Sequence, residues 1–149
     1  PLPDPAGVVD FIRTRRRDDG GFVEVAPAKR GGTNPTAAAV AMLLMFDATD
    51  ETTRTAATNF LAAMQSPEGG LRANDRAPLS DVLSTFTGLL TLTDLAAANR
   101  VDLPALRLFV DSAESPSGGF RGGLWDQATD VEYTFYGLGT VALLQAPVV

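Results

Sequence analysis

The sequence contains no cysteine and no histidine. Without cysteine there are no disulfide bonds and no thiol nucleophiles, and without histidine a Ser-His-Asp triad cannot form. Zinc loses the two side chains that bind it best, and no spacing of the acidic residues matches a calcium-binding loop. The residues therefore predict no cofactor and no metal site, with a hard-cation site built from carboxylates as the alternative, and they exclude much nucleophilic and zinc-dependent catalysis.

Long apolar runs and an excess of positive charge are also missing. The stretch "AAAVAMLLMF" is much shorter than the ~18 residues that cross a bilayer, so we expect no membrane span. The net charge of −6 argues against nucleic acid and anionic membranes as partners. We interpret the arginines of "RTRRRDD" as cations that stabilise the C-terminus of a helix through its dipole. Phosphate binding by these arginines is the alternative.

The remaining composition is ordinary for one globular domain, here 1–149, with 45% hydrophobic and 20% charged residues in 149. The sequence begins at Pro1, without an initiator methionine and without a charged-then-apolar leader. We therefore expect a processed chain or a segment of a longer one. Its location in the cell stays open, with the cytoplasm favoured.

A glycine pair recurs at positions 20–21, 69–70 and 118–119, with a spacing of 49 residues both times. Further positions keep the same register: Phe11, Phe60 and Phe109; Phe22, Leu71 and Phe120; Thr36, Thr85 and Thr134. The register predicts three repeat units, at about 3–50, 51–99 and 100–148. We call them the first, second and third units.

Each unit predicts two helices joined by a loop, which makes the fold class all-α. Apolar residues at helical spacing precede each glycine pair, and Pro and Gly then end the first helix. The second helix begins at "TNPT", "LSDV" or "ATDV", with these candidate N-caps: Asn34, Ser80 or Asp81, and Thr129 or Asp130. We expect each recurring threonine to bond a local carbonyl or the preceding loop.

Two stretches resemble one family of repeat proteins. "FLAAMQSPEGGL" resembles the QW repeat of squalene–hopene cyclases, with Leu71 where the family prefers Trp. Arg16 and Glu114 stand at the Gln position in the other two units. "SPSGGF" followed by "DVEYTFYGLGTVALL" resembles the C-terminal repeats of protein prenyltransferase β subunits. The resemblance covers the whole chain.

This resemblance implies an α/α toroid, in which the second helix of each unit lies on the inner side, around an apolar cavity. A complete toroid of this family has about twice as many helix pairs. The chain is therefore expected to form half of a ring. Sequence in a longer parent chain, a second copy or another subunit would complete it.

The residues of the family's zinc site do not carry over to this chain. The resemblance places Asp81 at the aspartate ligand, but Leu83 at the cysteine ligand and Tyr133 at the histidine ligand. The Asp-x-Asp-Asp acid motif of the cyclases is absent as well. We therefore expect neither zinc binding nor protein prenylation by the family's mechanism.

The candidate site residues lie around the inner helices of the second and third units. The catalytic candidates are Asp81, Asp130, Glu132 and Tyr133, and the ligand-binding candidates are Phe86, Trp125, Tyr133, Phe135, Tyr136 and Arg76. Helix capping is the favoured role of both aspartates, and a carboxylate rim with raised pKa values is the alternative. About half of the aromatic residues should be core, and Tyr133 should face inward.

Three functions are compatible with these residues. The leading hypothesis is a domain that binds an apolar ligand such as an isoprenoid, with any catalysis dependent on residues outside this chain. The second is a non-enzymatic interaction or scaffold domain that completes a toroid. The third is a diverged isoprenoid enzyme with an acid from among the three carboxylates. Diphosphate binding at Arg76 is a minor alternative.

Overall fold

The computed structural model describes residues 3–145, and helices dominate them. These residues form six α-helices: Pro5–Arg13 (α1), Thr33–Met45 (α2), Glu51–Ala62 (α3), Val82–Asp94 (α4), Leu103–Ala113 (α5) and Val131–Gln145 (α6). A short 3-10 helix covers Ala98–Arg100. The prediction of an all-α fold is confirmed, and the predicted end of the third unit at residue 148 lies outside the described residues.

The loop of the third unit departs from the all-helical prediction. Phe120–Arg121 (β1) pairs antiparallel with Thr129–Asp130 (β2), Phe120 opposite Asp130. The pairing holds the loop against the start of α6. Of the helices within residues 3–145, none is long and apolar enough to cross a membrane.

The helices form two layers. Helix α4 lies between α2 and α6, and these three helices are the inner layer. The outer helices pack against them: α1 on α2, α3 on α2 and α4, and α5 on α4 and α6. Fully buried side chains between the layers include Ile12, Phe22, Leu43, Leu61, Leu71, Leu89, Leu92, Leu106 and Phe109. The core therefore runs along the whole stack, and each inner helix is the second helix of its predicted unit.

Aspartate side chains cap five of these six helices. Each accepts a hydrogen bond from a backbone N–H of the first turn: Asp4 from Gly7, Asp50 from Thr53, Asp81 from Ser84, Asp102 from Ala105 and Asp130 from Tyr133. Helix α2 differs, because Gly32 is its N-cap and makes no side-chain bond. The predicted cap at Asn34 is wrong, since Asn34 lies inside α2 and its Oδ1 accepts from Thr87 Oγ1 at 2.7 Å.

The glycine pair makes the turn between each outer helix and its loop. The first glycine has φ of 90° at Gly20 and 96° at Gly69 and Gly118, a conformation that favours glycine. After the turn the chain pairs back on itself, Phe22 with Arg16, Leu71 with Gln65 and Phe120 with Glu114. The residue after each glycine pair is thereby buried under its unit. The prediction that glycine follows the end of the first helix of each unit is confirmed.

A threonine hydroxyl fastens each turn to the following inner helix. The backbone N–H groups of Phe22, Leu71 and Phe120 donate to Thr36, Thr85 and Thr134 Oγ1 at 2.8, 2.9 and 3.1 Å. Thr85 Oγ1 also donates to the Asp81 carbonyl at 2.7 Å. The predicted structural role of these threonines is confirmed, because each hydroxyl bonds the preceding loop.

Replacing Thr85 with valine tests this fastening. Thr85→Val keeps the side-chain shape but leaves the buried Leu71 N–H without its acceptor, so the free energy of unfolding should fall by about 1–3 kcal/mol. Thr93→Val is the matched control on the same helix, because the Thr93 side chain is exposed and bonds only its own helix. Urea denaturation of both variants measures the difference, and equal losses would contradict the assignment.

Candidate functional site

Four aromatic side chains of the inner helices form one cluster. Phe86 of α4 meets Phe135 and Tyr136 of α6 with ring centroids 5.7 and 5.6 Å apart. Tyr136 also meets Phe135 at 5.5 Å and Tyr133 at 6.4 Å, both edge to face. These separations and angles are those that aromatic pairs prefer. We call Phe86, Tyr133, Phe135 and Tyr136 the aromatic cluster.

Glycines leave the space that two of these rings occupy. A Cβ at Gly139 of α6 would lie 2.5 Å from the ring of Phe86, and one at Gly122 would lie 2.9 Å from the ring of Tyr133. Real side chains do not approach so closely, so any larger residue would displace the rings. The second and third units thus meet where the ring of Phe86 packs on the bare backbone of Gly139, while the contact of Tyr133 with Gly122 lies within the third unit.

The cluster lies partly in the core and partly at the surface. Phe86, Tyr133 and Tyr136 are half-buried, and Phe135 is exposed, as is Trp125. Two of the five aromatic candidates, Tyr133 and Tyr136, pack against the buried cluster that contains Val82 and Phe109, and none of the five is fully buried. Their positions on the inner layer leave an aromatic surface that a ligand can reach.

Trp125 lies apart from the cluster, in the loop between β1 and β2. Its Nε1 donates to the Ser80 carbonyl at 3.4 Å. A Cβ at Gly123 would lie 2.5 Å from the same Nε1, so the indole packs closely on its own loop. Trp125 therefore holds this loop against the start of α4.

Each carboxylate candidate already has a structural partner. Asp81 Oδ1 accepts from Ser84 N at 2.6 Å, and Oδ2 accepts from Ser84 Oγ at 2.8 Å. Burial raises the pKa of Asp81, and the bonds from Ser84 oppose that rise. Glu132 Oε1 accepts from the Tyr136 hydroxyl at 2.9 Å. Asp130 caps α6 and is exposed.

The three carboxylates lie near Tyr133, a convergence that the sequence alone left open. Burial raises the pKa of Tyr133, and the negative charges of Asp81, Asp130 and Glu132 raise it further. Asp126 adds to the same effect, and sequence reasoning missed it. In the sequence, Asp126 is marked only by its place four residues after Gly122 in a glycine-containing loop. In the structure, the N–H of Gly122 donates to Asp126 Oδ2 at 3.3 Å. On this side of the cluster, the negative charges of four carboxylates therefore act on the phenol of Tyr133.

Arg76 is separated from the aromatic cluster. It lines a groove of about 910 Å³ between the loops of the first and second units, together with Asp18, Asp19, Glu24, Lys29, Arg30 and Asp75. Arg30 and Asp75 form an ion pair across the groove. No residue of the aromatic cluster lines it. Among these charged residues the acids outnumber the cations, which does not favour an anionic ligand.

Asp81, Leu83 and Tyr133 occupy the positions that match the zinc ligands of protein prenyltransferases. Within residues 3–145 no group of three or more acidic, histidine or cysteine side chains is placed to hold a metal ion. Both oxygens of Asp81 accept bonds from Ser84, and Leu83 offers no ligand atom. These residues do not fit a zinc ion.

Comparison with known protein families identifies the fold. The model of the prenyltransferase alpha-alpha toroid domain matches residues 3–148. The chain therefore belongs to the prenyltransferase alpha-alpha toroid family. A comparison with curated protein sequences yields no match.

A solved structure has the same fold. The chain is similar to Candida albicans protein geranylgeranyltransferase-I complexed with GGPP, with a TM-score of 0.84 and 20% sequence identity. The similarity covers 94% of this chain and 43% of that chain. At this identity the match establishes the fold alone, and this chain spans less than half of the longer one.

The two tyrosines of the cluster allow a direct test by pH titration, because the chain has no others. The hydrogen bond to Glu132 raises the pKa of Tyr136, since the neutral phenol is its donor. Tyrosinate absorbance should therefore appear at higher pH in the folded protein than in guanidinium-unfolded protein. Glu132→Gln removes the charge and should lower the pKa of Tyr136.

Tyr136→Phe is the companion variant, because it leaves Tyr133 as the one tyrosine in the titration. Its remaining transition should still lie above that of the unfolded chain, since burial raises the pKa of Tyr133. An unchanged or higher transition in Glu132→Gln would contradict the role assigned to Glu132.

Proposed function

We propose that this chain is half of an α/α toroid that binds an apolar, isoprenoid-like ligand and lacks the zinc site of protein prenyltransferases. The observation that carries the proposal is the aromatic cluster, with ring centroids 5.5–6.4 Å apart on two neighbouring inner helices. The rings lie within contact of one another and remain partly exposed. They offer one continuous apolar wall.

Such a wall suits a branched polyene. Binding sites for apolar ligands are lined mainly by hydrophobic and aromatic side chains with few polar groups. In this cluster the polar atoms are the two phenol oxygens, and that of Tyr136 is already bonded to Glu132. The similar Candida structure is a complex with GGPP, which supports an isoprenoid as the ligand class of this fold.

We favour binding over catalysis by this chain alone. A general acid must present a free proton to the substrate, whereas Asp81 is held by Ser84, Glu132 by Tyr136 and Asp130 by the first turn of α6. Zinc-dependent activation of a thiol is not part of the proposal, because the residues do not fit the metal. Any catalysis would depend on residues outside this chain.

We also place the chain of the ligand, rather than a diphosphate, at the aromatic cluster. The cationic candidate Arg76 lines a different groove, in which acids outnumber cations. The carboxylates around Tyr133 would repel a phosphate group at that end of the cluster. An uncharged isoprenoid should therefore bind at least as well as its diphosphate.

The second candidate function is an interaction domain that completes a toroid with a second copy or a partner subunit. Exposed apolar residues at the two ends of the stack favour it: Phe11 in the first unit, and Val131 and Leu138 in the third. Exposed apolar surface of this kind marks sites of protein association. The two functions are compatible, because closure of the ring would enclose the aromatic cluster.

Tyr136 variants test the binding site. A farnesyl chain with a fluorescent aniline group serves as the probe, its anisotropy is measured, and geranylgeraniol competes. Tyr136→Leu removes the ring and should weaken binding about fivefold to tenfold, whereas Tyr136→Phe keeps the ring and should keep the affinity. Circular dichroism verifies that both variants remain folded.

Two results would contradict the proposal. If the unaltered protein shows no saturable binding of the probe, isoprenoid binding is wrong. If Tyr136→Leu and Tyr136→Phe bind equally well, the ligand does not contact the aromatic cluster. GGPP as a second competitor tests the headgroup, and a strong preference for it over geranylgeraniol would overturn the uncharged-ligand argument.

A further inference from the structure

One backbone hydrogen bond recurs at both junctions between units. Thr33 N–H, at the start of α2, donates to the Ala73 carbonyl of the second unit at 2.8 Å. Val82 N–H, at the start of α4, donates to the Gly122 carbonyl of the third unit at 2.9 Å. The two donors are 49 residues apart in the sequence, and so are the two acceptors. The first unit thus binds the second as the second binds the third.

A ring-on-glycine contact recurs at the same junctions. A Cβ at Gly21 would lie 2.8 Å from the ring of Phe60 in the next unit, and one at Gly70 would lie 2.5 Å from the ring of Phe109. The first and second units therefore each pack the glycine pair against a phenylalanine from the outer helix of the next unit along the chain.

The third unit presents this joining surface without a unit upon it. Val131 is 88% exposed, although the matching residues Thr33 and Val82 are buried. Leu138 is 58% exposed, although both of its counterparts are buried. A Cβ at Gly118 would meet no atom of residues 3–145 within 4 Å, whereas one at Gly69 would meet the next unit. We call Gly118, Gly119, Val131 and Leu138 the trailing face.

The first unit presents the opposite surface. Phe11 is 53% exposed, while its counterparts Phe60 and Phe109 are buried. Beside it lies a mostly apolar groove of about 160 Å³, and we call six of the residues that line it the leading face: Phe11, Ile12, Arg15, Val23, Ala39 and Met42. The two ends of the chain therefore carry the two halves of one junction.

The groove on the leading face is an empty copy of a seat that is filled elsewhere. Its positions 11, 12 and 15 match Phe109, Val110 and Ala113 of the third unit. There, Val82 of the preceding unit packs with these three residues in one apolar cluster. The residue that matches Val82 on the trailing face is Val131. Its side chain therefore has the register position of the one that fills the seat in the third unit, although Arg15 stands where that seat has Ala113.

A second depression supports the same pairing. About 340 Å³ lies open at the start of α6, lined by Thr129, Asp130, Val131 and Thr134. At the start of α4 the loop around Gly122 approaches the matching place and accepts the bond from Val82 N–H. The position that matches Gly122 and Ala73 in the first unit is Glu24. Its carbonyl would accept from Val131 N–H.

We propose that the trailing face binds the leading face of a second copy of this chain, head to tail. The proposal rests on the proposed half toroid and names its partner. Two copies would make this junction twice, which closes a ring of six units. A contact between different surfaces closes into a ring only when the rotation per copy divides a full turn. The longer solved chain supports closure at two copies, because this chain matches 43% of it.

A second copy is a better occupant than an unrelated partner because both faces belong to the same chain and match by register. The backbone hydrogen bond and the ring-on-glycine contact recur at both internal junctions, and the valine seat occurs at the second, because Thr33 stands at the position of Val82 in the first. An unrelated protein would have to reproduce all three. Stacked repeats of this kind are stabilised by contacts with their neighbours, and an uncovered end normally needs a cap.

Molar mass in solution tests the proposal, measured by light scattering during size-exclusion chromatography over a tenfold dilution. The unaltered protein should have twice the 15.6 kDa mass of the chain. Leu138→Glu puts a charge on the trailing face and should weaken the dimer about hundredfold or more. Leu108→Glu is the matched control, because Leu108 is exposed on α5 and its counterparts Asn59 and Asp10 are exposed polar residues.

Phe11→Glu separates the head-to-tail arrangement from a symmetric contact between two trailing faces. Head-to-tail binding predicts that Phe11→Glu and Leu138→Glu both yield monomers, while Leu108→Glu stays dimeric. A Phe11→Glu protein that remains dimeric would overturn the arrangement. Circular dichroism distinguishes a folded monomer from an unfolded variant. Both variants should fold, because Phe11 and Leu138 are exposed in the single chain.

Failure of this inference and failure of the proposed function are distinguishable. An unaltered protein that is monomeric, or that forms species larger than two copies, overturns the two-copy ring whether or not it binds the farnesyl probe. A dimer that depends on both faces but binds no probe supports the inference and overturns isoprenoid binding.

Discussion

The buried N–H group after each glycine pair needs an acceptor, and a threonine hydroxyl supplies it. Without that hydroxyl, the buried N–H would have no hydrogen-bond acceptor, and each such group would lower the free energy of unfolding by about 1–3 kcal/mol. Because the hydroxyl belongs to the first turn of the inner helix, the same bond sets where that helix begins relative to its loop. The capping carboxylates Asp81 and Asp130 lie four residues before these threonines, so their places are set by the same bond.

Both surfaces to which we assign a proposed role derive from this arrangement. With the start of α6 fixed by Thr134, the next turn of the helix brings Phe135 and Tyr136 against Phe86 of α4. The same fixed start directs Val131 away from the stack, where its counterpart Val82 meets the next unit. The aromatic cluster and the trailing face thus share α6, so closure of a ring would bring a second copy next to the aromatic cluster.

The sequence predicted the features that local signals decide. Glycines at a 49-residue spacing, aspartates before apolar runs and recurring threonines specified the turns, the caps at Asp81 and Asp130, and the two helices of each unit. The features that it missed depend on neighbours. Asn34 has the residue type of a cap, but its amide bonds Thr87 on another helix. The exposure of Phe135 depends on which elements pack against α6, and the separation of Arg76 from the rings depends on loop conformation.

The layer arrangement also makes the helices unequal in how firmly they are held. Helix α4 is contacted by both inner neighbours and by two outer helices, whereas α1 packs chiefly on α2. Local opening requires the loss of only those contacts that an element makes, so it is easiest at the margin of a structure. Amide protons of α1 should accordingly exchange with solvent long before those of α4. Association at the leading face would slow that exchange, so the exchange rate of α1 would report whether a neighbouring copy is bound.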